Sequence, residues 1–261
     1  MIQTVFVLRA GAVQIWNIGG TRMRGLGTIV NVAAVLAGGL AGLLLKNGLK
    51  QRFQDILMKA LGLSTIFLGI AGAMTGLMEI SGGRLATAGT ATLIASLVLG
   101  SLVGEWINID RGLEHFGTWL RRKAKSENDA GFLEGFVNAS LVICVGAMAI
   151  VGPIQDGLTG DASMLYAKSA LDAVIVMIFA STCGKGALFS AIPLGILQGG
   201  VTLLAGLVAP LLGEAVIAGV SFVGAALIFC VGVNLCFGNR FKVANMLPAL
   251  VVAGAIAGFM G

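Results

Sequence analysis

The chain has 261 residues, of which 57% are hydrophobic and only 11% are charged, and its mean hydropathy is +0.97. This composition leaves too little polar surface to coat a water-soluble globule of that length, which excludes an ordinary soluble domain. The net charge of +5 does not indicate a nucleic-acid partner, because the basic residues lie between apolar runs, where membrane topology explains them.

Long apolar runs without strict alternation, together with 40 glycines, predict closely packed helices rather than a transmembrane β-barrel. A scan for runs of about 20 apolar residues gives about eight candidate spans. The predicted fold class is therefore all-α, a polytopic transmembrane helix bundle whose main partner is the lipid bilayer.

Residues 1–22 are apolar but carry no basic region ahead of their hydrophobic run, which is atypical of a secretory signal. We treat them as an N-terminal extension, with Met23 as an alternative start, and residues 23–261 as one transmembrane domain. The first three predicted spans are residues 27–45, 60–78 and 85–103, and the loop after the first span is basic.

One long polar segment, residues 105–134, follows the third span. It places Ile109, Leu113, Phe116 and Leu120 at helical spacing, which predicts an amphipathic helix on the cytoplasmic membrane surface. We expect the basic cluster that follows to contact anionic lipid headgroups; it consists of Arg121, Arg122, Lys123 and Lys125.

Five further spans are predicted, at residues 135–152, 165–182, 187–212, 215–237 and 243–260. The first of these ends at Pro153 and the loop IQDGLTGDAS, which contains Asp156 and Asp161. The span at 187–212 is long and contains Pro193 and a Gly-Gly pair, so we expect a bent or broken helix there.

The distribution of charge predicts the topology. If the first loop is cytoplasmic, 12 of the 17 basic residues lie on that side, so the positive-inside rule predicts that both termini are outside. Asp156 and Asp161 then belong to an external loop. The similarity between LGLSTIFLGIAGAM in the second span and GAALIFCVGVNL in the seventh indicates an inverted repeat of three-helix units.

Asp172 is the only acidic side chain predicted well inside an apolar span, LYAKSALDAVIVMIFAST, and Lys168 lies one helical turn before it. An ionisable group in hydrocarbon costs about 2.5 kcal/mol or more, so Asp172 is a functional candidate. One interpretation is that Asp172 binds a cation or proton, with Lys168 as its counter-charge. The other is a structural ion pair near the interface, with Lys168 extending outward to water. Ser169 is a further candidate, although its hydroxyl can bond to its own helix.

Amides within spans must find hydrogen-bond partners, because lipid offers none. Asn31 and Asn138 each lie early in a span, and we expect them to converge with Gln198 on a polar cavity beside Asp172. Asn245 lies in NMLPAL, where the proline frees a backbone carbonyl that can contribute to an ion site. A simple kink is the alternative.

The sequence indicates no enzymatic activity, metal site or cofactor. His115 is its only histidine, no H-E-x-x-H or G-x-S-x-G motif occurs, and an intramembrane aspartate protease needs a second membrane carboxylate. The four cysteines lie in or beside apolar runs, and their spacing is not that of metal ligands. We therefore expect them to act as small buried hydrophobic side chains.

The segments GTIVNVAAVLAGGLAGLLL, DGLTGDASMLYAKSALDAVIVMIFASTCGKG, SAIPLGILQGG and NMLPAL resemble the bacterial inner-membrane family of the YqgA and YdfK type, domain of unknown function 554. The resemblance runs from about Met23 to the C-terminus. It implies a polytopic inner-membrane protein but no substrate, because the family has no settled activity. Its motifs fall on Asn31, Gly157, Gly160, Asp161, Lys168, Ser169, Asp172, Gln198, Asn245 and Pro248.

We therefore expect an inner-membrane secondary transporter or ion-conducting protein for a small solute or ion, with Asp172 as its cation- or proton-sensitive group. The alternative is a non-transporting scaffold in which Lys168 and Asp172 form a structural pair. We also expect a homo-oligomer, a dimer packed through glycine faces such as residues 38–42 and 62–69.

Overall fold

A computed structural model describes residues 23–46, 50–81, 83–127, 129–145, 148–211 and 213–260, which are mostly helical. The predicted extension, residues 1–22, lies outside the described residues. The helices are α1 (Leu26–Lys46), α2 (Gln51–Leu77), α3 (Thr90–Ile107), α4 (Ile109–Lys123), α5 (Phe132–Cys144), α6 (Met148–Thr159), α7 (Ser163–Cys183), α8 (Ala191–Leu203), α9 (Ala205–Val208), α10 (Glu214–Phe237), α11 (Val243–Met246) and α12 (Pro248–Met260). Strands β1 (Met78–Ser81) and β2 (Arg84–Thr87) form an antiparallel hairpin between α2 and α3.

Within the described residues, six helical segments are long and apolar enough to cross a membrane, and the bent pair of α5 and α6 makes a seventh. The eighth predicted span corresponds to α11 and α12, which are apolar but shorter than the others. Large apolar side chains such as Leu44, Leu203 and Phe259 are exposed, as lipid-facing residues must be. The predicted all-α, polytopic fold is confirmed.

The third span starts later than predicted. Residues 85–87 belong to β2 rather than to a helix, and α3 begins at Thr90. The reason is that Gly83 and Gly89 adopt left-handed backbone conformations, with φ of +77° and +65°. The first glycine turns the chain within the hairpin and the second precedes the helix, so the helical run cannot begin at Leu85.

The fourth predicted span is interrupted and then continues beyond its predicted end. α5 ends at Cys144, α6 begins at Met148, and their axes differ by 59°. α6 runs through Pro153 to Thr159, so the prediction of an external loop containing Asp156 was wrong. Tertiary packing decides the outcome, because Gly157 lies against the Thr202 carbonyl and Ala205 of the neighbouring segment.

The sixth predicted span is broken, but not at the predicted proline. A 3-10 segment, Lys185–Ser190, precedes α8, and α8 ends at Leu203 before the short helix α9. Pro193 lies in the first turn of α8, where a backbone N–H has no intrahelical acceptor to lose. Pro248 is likewise tolerated as the first residue of α12.

Glycines set the closest helix contacts. α1 and α7 run parallel, with Gly38 against the backbone of Ala173 and Gly42 against the Met177 carbonyl. Gly62 and Gly69 similarly lie against the backbone or Cβ atoms of α10. These glycine faces are therefore filled within the chain. A dimer stays a prediction, and it must use another surface.

The proposed inverted repeat relates α1 to α8, α2 to α10, and α3 to α12. Each of these pairs packs antiparallel: Gly69 lies against Phe229, Gly100 lies against Ala249, and Asn31 contacts the more C-terminal part of α8. This arrangement agrees with two oppositely oriented units. The repeat itself stays a prediction.

The close contact between α1 and α7 can be tested by adding one methyl group. Gly38→Ala is expected to lower the free energy of unfolding by about 1–3 kcal/mol, because its Cβ meets the Ala173 carbonyl. Gly200→Ala is the matched control, since nothing lies within 4 Å of its added Cβ, and it should be neutral or stabilising. Unfolding in mixed detergent micelles, followed by tryptophan fluorescence, measures both. Equal losses would contradict the contact.

Candidate functional site

The candidate site is built around a buried ion pair on one face of α7. Lys168 Nζ lies 2.7 Å from Asp172 Oδ1 and 2.6 Å from Oδ2. Lys168 is 6% exposed and Asp172 is 3% exposed. Because α7 begins at Ser163, Asp172 lies close to the middle of the helix. The second interpretation placed Lys168 outward in water; its ammonium instead has polar partners inside the bundle.

Lys168 also donates a hydrogen bond to the Ile143 carbonyl, at 2.8 Å. Ile143 lies in the last turn of α5, where carbonyls have no partner within their own helix. A cation at this end is also favoured by the helix dipole. The break after α5 and the buried lysine therefore satisfy each other's hydrogen-bonding needs.

Two amides from other helices complete the first layer around the pair. Asn31 Nδ2 donates to Asp172 Oδ2 at 3.0 Å and to Gln198 Oε1 at 3.1 Å, and both amides are fully buried. Asn31 Oδ1 and Gln198 Nε2 have no hydrogen-bond partner among the described residues. A buried polar atom left without a partner costs about 1–3 kcal/mol, so these two atoms need an explanation.

Polar groups continue from this cluster toward the end of the bundle that carries the β-hairpin. Thr202 lies one turn beyond Gln198 on α8, and its Oγ1 is 3.2 Å from Thr28 Oγ1. Asp156 Oδ2 accepts the N–H of Gly27 at 3.0 Å, and its Oδ1 has no described partner. We call this set the polar seam: Lys168, Asp172, Asn31, Gln198, Thr28, Thr202 and Asp156.

Asn138 and Asn245 do not join the Asp172 cluster. Asn138 lines a separate cavity beside α4 and the loop after α10. The side chain of Asn245 accepts from the Asp110 N–H and donates to Glu105 Oε2, each at 2.6 Å, at the junction of α3 and α4. The predicted convergence is therefore observed for Asn31 and Gln198 only.

The remaining candidates make local contacts. Ser169 donates to the Leu165 carbonyl of its own helix at 2.6 Å. Asp161 lies in the turn before α7, where its Oδ1 accepts hydrogen bonds from the backbone and hydroxyl of Ser163. Such a contact is typical of a residue that holds the start of a helix.

The basic residues gather at the other end of the bundle. Asp129 joins two of the elements there, because it accepts from Lys46 Nζ at 3.4 Å and from the Lys185 N–H at 2.9 Å. Lys242 donates to Glu105 at 2.7 Å, and this hydrogen bond raises the pKa of Lys242. We call this the basic end: Lys46, Lys50, Arg52, Arg111, Arg121, Arg122, Lys123, Lys125, Lys185, Arg240 and Lys242.

The predicted amphipathic helix lies at the basic end as α4. Its Leu120 is buried against Phe132 and Phe136, whereas Trp119 is half-exposed. The basic cluster predicted to contact lipid headgroups begins in its last turn. Contact with lipid stays a prediction.

The long apolar helices, their exposed hydrocarbon side chains and an ion pair placed inside the bundle define a multi-pass helical membrane protein. The chain belongs to the family described as "Protein of unknown function (DUF554)", whose model matches residues 26–257.

Two relatives align over most of their length. The chain is 31% identical over 226 residues to "Uncharacterized membrane protein YdfK" of Bacillus subtilis (strain 168), covering 87% of this chain and 93% of the relative. It is 32% identical over 232 residues to "Uncharacterized protein YqgA" of Escherichia coli (strain K12), covering 87% and 94%. No solved structure matches the chain.

A double-mutant cycle tests the energetics of the buried pair. Lys168→Met leaves a buried carboxylate without its cation, and Asp172→Leu leaves a buried ammonium without its anion. Each is expected to lower the free energy of unfolding by about 3–5 kcal/mol. The double variant should be more stable than either single variant, because no unpaired charge remains.

Unfolding midpoints in mixed micelles provide the measurement, and Lys242→Met provides the control. That variant breaks the exposed pair with Glu105 and should change the midpoint little. Additive losses in the double variant would show that the two buried side chains act independently.

Proposed function

We propose that the protein is a secondary transporter or ion-conducting protein of the bacterial inner membrane that moves a small ion or solute. Asp172 is its cation- or proton-sensitive group. The observation that carries the proposal is the shared position of the ion pair, two amides with unpartnered atoms and a helix break. Transporters commonly bind substrates and coupling ions near mid-membrane, where discontinuous helices meet.

The geometry suggests how binding and movement are coupled. Lys168 is held by Asp172 on its own helix and by the Ile143 carbonyl at the end of α5. A proton or cation that neutralises Asp172 weakens its hold on Lys168. The ammonium then needs a new partner, so the occupancy of Asp172 biases the position of α7 relative to the α5 break.

The surroundings of the Lys168–Asp172 pair differ between the hairpin end and the basic end of the bundle. The polar seam leads from Asp172 toward the hairpin end through Gln198 and Thr202. On the other side, a cavity of about 470 Å³ reaches Leu141, two residues before Ile143. The buried Lys168–Ile143 hydrogen bond is compatible with an occluded conformation.

The positive-inside rule gives the orientation. The basic end faces the cytoplasm in this proposal, and the hairpin end, with both termini, faces outward. α4 then lies at the cytoplasmic surface, where Arg121, Arg122, Lys123 and Lys125 are close to anionic headgroups.

A non-transporting scaffold is the second candidate. The observation that favours it is the burial of Asp172, which is only 3% exposed. Asp172 lines neither the cavity of about 470 Å³ nor a second, shallower groove that Glu105 lines. In that case the pair only fixes α7 against α1 and α5. The two candidates differ in what happens when the charge of Asp172 is removed from a folded protein.

Proteoliposomes containing purified protein test the role of Asp172. Proton flux is followed with an internal pH dye under a potassium diffusion potential, across a range of external pH. Asp172→Asn is expected to lower the wild-type flux at least about tenfold, because it removes a titrating group from the path. Asp55→Asn, an exposed carboxylate at the basic end, is the control and should leave the flux unchanged.

Wild-type flux that Asp172→Asn preserves at every pH would remove Asp172 from the mechanism. Altered stability together with no flux of protons or of small cations in the wild type would favour the scaffold. The midpoint of unfolding is measured on the same preparations, so that a folding defect is not mistaken for a loss of flux.

Cysteine labelling tests the orientation. In a background with the four native cysteines replaced by alanine, Ile80→Cys reports on the hairpin and Lys123→Cys on the end of α4. A membrane-impermeant maleimide should label Ile80→Cys in intact spheroplasts, because that side chain is 81% exposed at the outer end. Lys123→Cys should label only after permeabilisation. The reverse pattern would invert the topology.

A further inference from the structure

The basic end contains a cavity of about 470 Å³ that the polar seam does not reach. Its walls come from α4, α5 and the loop between α10 and α11. A small organic solute fits a cavity of this volume. Asn138 and Leu141 of α5 line it, and Leu141 lies one turn before the end of α5, where Lys168 is bound.

Asn138 is the feature that points to a ligand. It is 94% buried, given its relative exposure of 6%, and it lines the cavity, yet its side chain has no hydrogen-bond partner among the described residues. An amide in an apolar helix normally pairs with another polar group. Asn138 therefore presents both a donor and an acceptor to whatever enters the cavity.

The charges around the cavity are separated by sign. One wall carries the carboxylates of Asp110, Glu114 and Glu134. The wall formed by the loop after α10 carries Arg240 and Lys242. Since Lys242 is engaged with a glutamate outside the cavity, Arg240 is the cation that is free of an ion pair among the described residues.

Asn234 builds the wall that carries the arginine. Its Oδ1 accepts the N–H groups of Arg240 at 2.8 Å and Phe241 at 2.9 Å, and its Nδ2 donates to the Phe241 carbonyl at 2.8 Å. Three hydrogen bonds from one buried side chain fix this loop after the left-handed Gly238, whose φ is +78°. Asn234 is thus a positioning residue for Arg240.

We propose that this cavity binds a small zwitterion of the free α-amino acid type. Its ammonium group lies toward the acidic wall, its carboxylate toward Arg240, and its remaining polar atoms meet Asn138. A ligand with only one charge leaves one of the two walls unmatched. The inference rests on the proposed function and deepens it, because it names the class of solute that occupies the basic end before or after passage.

The test measures binding without transport. Thermal unfolding of the full chain in nanodiscs is followed by tryptophan fluorescence while an equimolar mixture of the protein amino acids other than tryptophan and tyrosine is added. A saturable rise in midpoint is expected. Arg240→Gln and Asn138→Leu should each require about tenfold higher amino-acid concentration for the same rise, as loss of a charge-assisted or buried hydrogen bond predicts. Arg122→Gln, outside the cavity, is the matched control and should behave as wild type.

Two further mixtures define the ligand class. Ethylamine with propylamine supplies the ammonium alone, and acetate with propionate supplies the carboxylate alone, at the same ionic strength. Equal stabilisation by either mixture would overturn the assignment to zwitterions. An amino-acid effect that Arg240→Gln and Asn138→Leu leave unchanged would overturn the location, and no effect at millimolar concentration would overturn the inference altogether.

The same preparations separate this inference from the proposed function. Proton flux that depends on Asp172, without any stabilisation by amino acids, would keep the proposed function and overturn the zwitterion site. Stabilisation by amino acids that needs Arg240, without flux or uptake of the radiolabelled amino-acid mixture, would keep the site and overturn transport.

Discussion

The bundle depends on one buried ammonium group, that of Lys168. Lys168 must be surrounded by acceptors, and three arrive from two sources: both carboxylate oxygens of Asp172 and the carbonyl of Ile143. A carboxylate can come from the same helix, one turn away, but a backbone carbonyl is available only where a helix ends. The end of α5 therefore supplies an acceptor that the buried lysine requires.

The pair also dictates how closely the neighbouring helices must pack. Asn31 reaches Asp172 from α1, and an amide side chain is short, so the two helix axes must be close. Gly38 and Gly42 permit this, because each places α1 directly against the backbone of α7. The hydrophobic effect does not drive helices together inside lipid. The close backbone contact that these glycines allow supplies van der Waals attraction instead.

Burial cost is readable from sequence, and it grouped Asn31, Gln198 and Asn138 with the pair of Asp172 and Lys168, although Asn138 lies at a separate cavity. Two placements failed because they depend on contacts with distant helices. The carbonyl of Ile143 has no side-chain signature, so one of the two interpretations turned Lys168 to water. Asp156 was assigned to a loop because proline and glycine surround it, whereas packing against α8 keeps that segment helical. The long helices were predicted well because hydropathy needs no tertiary information.

The energetics of the seam bear on whether its role is only structural. A buried ion pair adds little net stability, and apolar residues of similar volume often stabilise a protein by about 1–4 kcal/mol more. The glycine faces already hold α1 against α7, so the pair is not needed to join them. Asn31 Oδ1 and Gln198 Nε2 add a further cost while they lack partners. While they lack partners, these atoms do not stabilise a scaffold. A protein that must accept a proton, an ion or a polar solute beside Asp172 needs a free acceptor and a free donor there. Asn31 Oδ1 and Gln198 Nε2 have no partner among the described residues, so they meet that need.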